Sequence, residues 1–107
     1  MYLKEIKTNG SSTIKLYLED CFIGMEKYLG KKSVDVIVTS PPYNIGVDYN
    51  EYNDKIPRVE YLNWLGEWAK ITKEVLRDDV SIFLNIGSKP SDPWVPFEVA
   101  LEMRKYF

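Results

Sequence analysis

Residues Val34-Asp35-Val36-Ile37-Val38-Thr39 run directly into Ser40-Pro41-Pro42-Tyr43, and this junction constrains the chain more than any other segment. A stretch dominated by β-branched residues reads as a buried parallel strand. Two successive prolines fix φ near about −65° and remove two backbone donors, so the strand has to end there. The loop beyond is stiff and poor in donors. It can hold two carbonyls, a hydroxyl and an aromatic ring at a fixed geometry, a set that suits a planar ligand bearing an amino group, as a nucleobase does.

The flanking segments supply alternating elements. Lys7-Thr8-Asn9-Gly10-Ser11-Ser12 is polar and turn-rich, so residues 1–12 are expected to form a loose N-terminal segment. Ile14 to Leu18 reads as a strand, and Asp20 is an N-cap for a short helix through about Leu29, closed by Gly30. After the Val34–Thr39 strand, Asn44 to Lys55 has no period and reads as a long loop. Asn44 and Gly46 are ordinary turn residues in it, and its three acids form a solvated face. Pro57 suits a first helical turn. From there Tyr61, Leu62, Leu65, Trp68, Ala69, Thr72, Val75 and Leu76 recur at helical spacing, which predicts a helix ending near Asp78-Asp79. Val80 to Ile86 is the third strand, and Pro93-Trp94 opens a last helix. Trp64, Trp68 and Trp94 are assigned to packing.

This order predicts an α/β chain: part of a Rossmann-like open parallel sheet with alternating strands and helices. Ligands in such sheets bind beyond the carboxyl ends of the strands, where Asp20, Ser40 to Tyr43 and Asn85 to Ser88 all fall. Composition narrows the chemistry. With no histidine and one cysteine, a transition-metal site of the usual kind is not expected, and Cys21 permits no internal disulfide. Apolar runs are too short to span a membrane, and the N-terminus has no apolar signal region, so a cytoplasmic location is expected. Fourteen basic residues against sixteen acidic ones give a net charge of −2, which argues against strong autonomous binding to a phosphate backbone.

With its flanks, Thr39-Ser40-Pro41-Pro42-Tyr43-Asn44-Ile45-Gly46 resembles the catalytic motif of the DNA amino-methyltransferases, which methylate the exocyclic amino group of cytosine or adenine with S-adenosylmethionine. The stretch from about Ile14 to Phe107 resembles the N-terminal portion of their β group, in which this motif precedes the cofactor's glycine-rich motif. Enzymes of that family are considerably longer. Here no Phe-x-Gly-x-Gly loop is present and no basic target-recognition segment, so the cofactor site is incomplete and residues 1–107 read as a catalytic-motif portion.

The resemblance implies roles for particular residues. Ser40, Pro41, Pro42 and Tyr43 form the catalytic motif: the Ser40 hydroxyl and the Pro41 carbonyl accept the hydrogens of the target amine, and Tyr43 stacks on the base. Asp20, with Cys21 and Ser40, lies toward the cofactor, although Asp20 serves equally as a helix cap alone. Stacking worth about 1–3 kcal/mol offsets much of the cost of extruding a base from duplex DNA. The methyl moves by direct in-line transfer, so no covalent intermediate on Cys21 is needed. Serine at the motif's first position resembles the variant associated with cytosine N4, with adenine N6 as the alternative. Two readings of another kind stay open: a half that a second polypeptide complements, and an inactive remnant.

Overall fold

The computed structural model describes residues 1–107. Two small sheets and three helices follow in the order β1 (Tyr2–Lys7), β2 (Thr13–Tyr17), α1 (Cys21–Tyr28), β3 (Val34–Thr39), α2 (Arg58–Val75), β4 (Leu76–Leu84) and α3 (Val95–Met103).

The expectation of a loose N-terminal segment is corrected. Tyr2–Lys7 is a strand, antiparallel to β2, with Ile6 opposite Ile14 and Tyr2 opposite Tyr17. The turn residues Asn9-Gly10 reverse the chain between them, a hairpin signal that composition alone obscures. The strand expected from Ile14 to Leu18 therefore belongs to a separate two-stranded sheet and not to the parallel one. Stacking ties the hairpin to the rest: Tyr17 lies against Tyr28 of α1 at 4.3 Å between ring centroids, and Phe22 of α1 stacks on Trp64 of α2.

β3 and β4 pair in parallel through the α2 crossover, so the α/β class stands. Val36 faces Ser81, Ile37 faces Ile82, and Val38 faces Phe83. α2 stops at Val75, three to four residues before the expected end. Leu76 carries the helical period forward, but it is 5 % exposed as the first residue of β4, paired with Val34. Between that pair and Val36–Ser81 the register slips. The charged residues there form ion pairs outside the ladder, Arg77 with Asp35 and Lys32 with Asp78.

The core lies between α2 and α3. Tyr61, Leu65, Val95 and Val99 are essentially solvent-free, and Leu84 and Ile86 at the end of β4 pack against them. Because these four sit where α2 crosses α3, the core clamps the carboxyl end of β4 from below. Trp68 is buried and Trp64 half-buried as expected, whereas Trp94 is 63 % exposed with its ring beside Phe97. No helix is long and apolar enough to cross a membrane.

Candidate active site at the ends of the parallel strands

The strand β3 delivers Ser40, and the parallel ladder delivers its neighbour. The Asn85 N–H donates to the Thr39 carbonyl at 2.9 Å, which carries the pairing one residue past β4. Asn85 is thereby fixed beside Ser40. Its side-chain Nδ2 donates to the Tyr43 hydroxyl at 2.9 Å and lies 3.5 Å from Ser40 Oγ, while Ser40 Oγ and the Tyr43 hydroxyl are 2.7 Å apart. The tetrapeptide has folded back so that its first and last side chains touch.

Two further groups hold that turn. The Tyr61 hydroxyl, on the buried face of α2, donates to the Pro42 carbonyl. Burial pushes this phenol well above its ordinary range, so it stays protonated and remains a donor. Gly87 lies under the Tyr43 ring: a Cβ there would sit 2.8 Å from the ring's Cε2, so only glycine permits the contact. One face of the ring is covered by backbone. The Pro41 carbonyl, by contrast, accepts no hydrogen bond from within the chain.

The loop after the motif is fastened. Asn44 adopts φ 59° and Gly46 φ 87°, which turns the chain away from the motif. Asn44 then bonds Ile56 twice through its side chain, Nδ2 to the carbonyl and Oδ1 from the N–H. Asp54 is 2 % exposed, and its carboxylate accepts from the N–H groups of Asn44, Ile45 and Val47 at 3.0, 3.2 and 2.9 Å. Lys89 adds a bond to the Ile45 carbonyl. This corrects two sequence expectations: Asp54 is no part of a solvated acidic face, and Asn44 is more than a turn former. Charge-assisted bonds of this kind are the strong ones, which is why an acid is buried here.

Asp20 and Cys21 stand apart. Both hydrogen bonds to Asp20, from the Phe22 and Ile23 N–H groups, go to Oδ1 and cap α1. The acid is thus a helix cap in fact, with Oδ2 left over as an acceptor. Partial burial and the adjoining Asp20 push the Cys21 thiol up, away from nucleophilic form. A cavity of about 240 Å³ adjoins both residues, lined also by Tyr17, Gly24 and Tyr28, and shares no lining residue with the Ser40 turn. That volume falls below the roughly 300–1,000 Å³ of ordinary small-molecule sites. The spare Asp20 oxygen fits an amino donor such as an adenine edge, and the cavity fits only a part of a ligand the size of S-adenosylmethionine. The largest cavity, about 560 Å³ between β4 and α3, is lined almost wholly by apolar side chains such as Ile82, Leu84 and Val99, so it offers no chemistry.

Sequence reasoning therefore reached the tetrapeptide and placed Asn85 at the same sheet end. It placed Gly87 there only as part of the stretch Asn85 to Ser88, and it missed the roles of Tyr61 and Asp54. The glycine was legible as a possible close backbone approach; the tyrosine and the acid carry no local signal, because each acts across seven or more residues of chain.

Comparison with known proteins decides the family. Residues 34–106 match the DNA methylase family, the stretch that runs from the start of β3 past α3. The chain belongs to the DNA methylase family. It is 44% identical over 80 residues to the type II methyltransferase M.MjaVI of Methanocaldococcus jannaschii, covering 75% of this chain and 38% of that protein. It is 36% identical over 63 residues to the type II methyltransferase M.HpaI of Haemophilus parainfluenzae, covering 59% of this chain and 20% of that one. Among solved structures, the PvuII DNA methyltransferase, titled cytosine-N4-specific, superposes with a TM-score of 0.65 at 22% identity, over 85% of this chain and 33% of its own. This last likeness bears on the fold. The DNA methylase residues here thus span well under half the length of the relatives they match.

Proposed function

We propose that this chain is the N-terminal, base-binding portion of an S-adenosylmethionine-dependent DNA amino-methyltransferase of a restriction-modification system, acting on the N4 amino group of cytosine in duplex DNA. The β3–α2–β4 unit is, on this reading, one part of a Rossmann-like open parallel sheet. The carrying observation is the free Pro41 carbonyl beside the Ser40 hydroxyl in a turn held by Tyr61, Asn85 and Gly87. An exocyclic amine on a heteroaromatic ring is a poor nucleophile because its lone pair is delocalised. Two acceptors on its hydrogens draw it toward a tetrahedral geometry, and the Pro41 carbonyl and Ser40 Oγ are two such acceptors on a rigid base. The open face of the Tyr43 ring receives the flipped base.

S-adenosylmethionine, when bound, supplies the methyl group. The chain's own contribution to holding it is the spare Asp20 oxygen and the small cavity beside Cys21. Serine at position 40 favours cytosine N4; adenine N6 is the second reading, since both bases offer the same amino group. The remaining parts of the site are supplied by polypeptide that carries a glycine-rich cofactor motif and a recognition region.

The test is complementation. The chain is mixed with the complementary remainder of the Methanocaldococcus jannaschii relative, labelled S-adenosylmethionine and duplex DNA, and methylated nucleosides are resolved by mass spectrometry. N4-methylcytosine that disappears with Ser40→Ala or Tyr43→Ala is the expected result. N6-methyladenine would select the second reading, and unchanged activity in both variants would remove the motif from catalysis.

A further inference from the structure

We infer that Asn85 is a positioning residue that sets the direction of the hydrogen-bond chain through Tyr43 to Ser40, so that Ser40 presents its own hydroxyl hydrogen to the ring nitrogen beside the target amine. The Asn85 Nδ2 group can only donate, and it reaches the Tyr43 oxygen at 2.9 Å. On distance alone either hydroxyl can donate across the 2.7 Å Ser40 Oγ–Tyr43 contact; a phenol is the stronger donor and the weaker acceptor of the two, and its oxygen already accepts from Asn85, so we assign its hydrogen to Ser40 Oγ. Ser40 Oγ thus spends a lone pair inward. Asn85 Nδ2, 3.5 Å from Ser40 Oγ, is too far to hold the second lone pair strongly, so what Ser40 keeps for a ligand is one lone pair and one hydrogen.

That combination matches one kind of edge: an amino hydrogen next to an unprotonated ring nitrogen. Cytosine offers it at N4 and N3, adenine at N6 and N1. An ionised carboxylate in place of Ser40 could accept from the amine and could give nothing to the ring nitrogen. Donation to that nitrogen makes the hydrogens of the amine on the neighbouring carbon more acidic, which strengthens their bonds to the Pro41 and Ser40 acceptors, so the direction of the chain matters to the reaction and not only to packing. Asn85 needs no side-chain support for this duty, because its backbone N–H is already locked to Thr39 at 2.9 Å.

The inference rests on the base-pocket reading for its ligand, but the chain's polarity is measurable without one. In the 107-residue chain with labelled asparagine, Tyr43→Phe is expected to move the Asn85 Nδ2 hydrogens upfield more than any other side-chain amide, leaving backbone resonances of α2 and α3 in place. A response on the Asn85 carbonyl carbon, with the Nδ2 hydrogens unmoved, would mean that Tyr43 donates to Asn85, and the inference would be overturned. The second arm titrates 2′-deoxycytidine against its 3-deaza analogue, which lacks the ring acceptor. Native chain should prefer 2′-deoxycytidine by roughly three- to tenfold, the worth of one hydrogen bond. Asn85→Asp, which keeps the shape and turns the donor into an acceptor, should erase that preference. Equal binding by the native chain overturns the ring-nitrogen contact. If neither nucleoside binds, the base-pocket reading falls, and with it the ring-nitrogen contact, while the amide signature still decides the polarity of the Asn85–Tyr43 bond.

Discussion

The N-terminal hairpin with α1 and the body formed by β3, α2, β4 and α3 both consist of regular strands and helices, yet they differ in burial. Every residue of β1 and β2 is exposed and α1 buries none of its residues, whereas all the buried residues lie between Asn44 and Val99. Pairing alone gives the hairpin its shape; side-chain exclusion of water gives the body its stability. The Ser40 turn grows from the body. A geometry that has to hold two acceptors in place is therefore anchored where the chain is most resistant to local opening.

The largest effect expected from this contrast is in the core. Leu65→Ala should destabilise by about 2–5 kcal/mol in urea unfolding, whereas Ile14→Ala in the hairpin, at a side chain 46 % exposed, should cost less than about 1 kcal/mol. Equal costs would dissolve the distinction. Next comes the buried acid: Asp54→Ala strands three backbone N–H groups and should cost about 2–3 kcal/mol, with the Asn44 to Val47 amides exchanging faster than those of α2. Gly87→Ala sharpens the picture at the site. It forces the Tyr43 ring away at a cost of about 1–3 kcal/mol, visible as a shift of the Tyr43 ring resonances and weaker nucleoside binding, while α1 and the hairpin stay unchanged.

The smallest effect belongs to the hairpin and depends on pH. The Met1 ammonium bonds Glu19, 2.6 Å away, which holds the ammonium above its ordinary value of 8.0 and the carboxyl below its ordinary 4.5. The depressed acid contributes stability above 4.5 that fades as pH falls through its folded value. The raised amine contributes below 8.0 and fades as pH rises through its own. Docking of β1 should therefore be firmest between 4.5 and 8.0 and loosen on both sides, read from hairpin amide shifts against an unmoving body. N-terminal acetylation should flatten the alkaline side. A flat profile in the unmodified chain would mean that the ion pair does no docking.

The contrast also explains which features were legible in the sequence. Val34–Thr39 is a strand over the residues its β-branched run marks, although none of them is buried as that run predicts, and Pro57 stands where α2 begins, because proline and branching act locally. The end of α2 was misplaced because Leu76 fits both a helical stripe and a buried strand start; pairing with Val34 decides between them, and pairing is not local. The strand at Ile14 was found and its sheet was not, since an alternating exposed strand looks alike in either, and β1 was missed altogether. In the site, Ser40 and Tyr43 stand within one short motif, but the hydroxyl of Tyr61, the space at Gly87 and the carboxylate of Asp54 come into play only once the chain has folded.

The Asp54 clamp has one more consequence, in evolutionary terms. The backbone around the motif is held by Asp54 at Asn44, by Tyr61 at Pro42 and by Asn85 at Thr39, and none of these bonds passes through the side chain of residue 40. Exchange of that one side chain alters the chemistry offered to a base while leaving the scaffold's stability nearly untouched. Target choice and foldability are thereby separable traits, and a lineage carrying this framework can change the first through a single codon without first accumulating stabilising substitutions elsewhere.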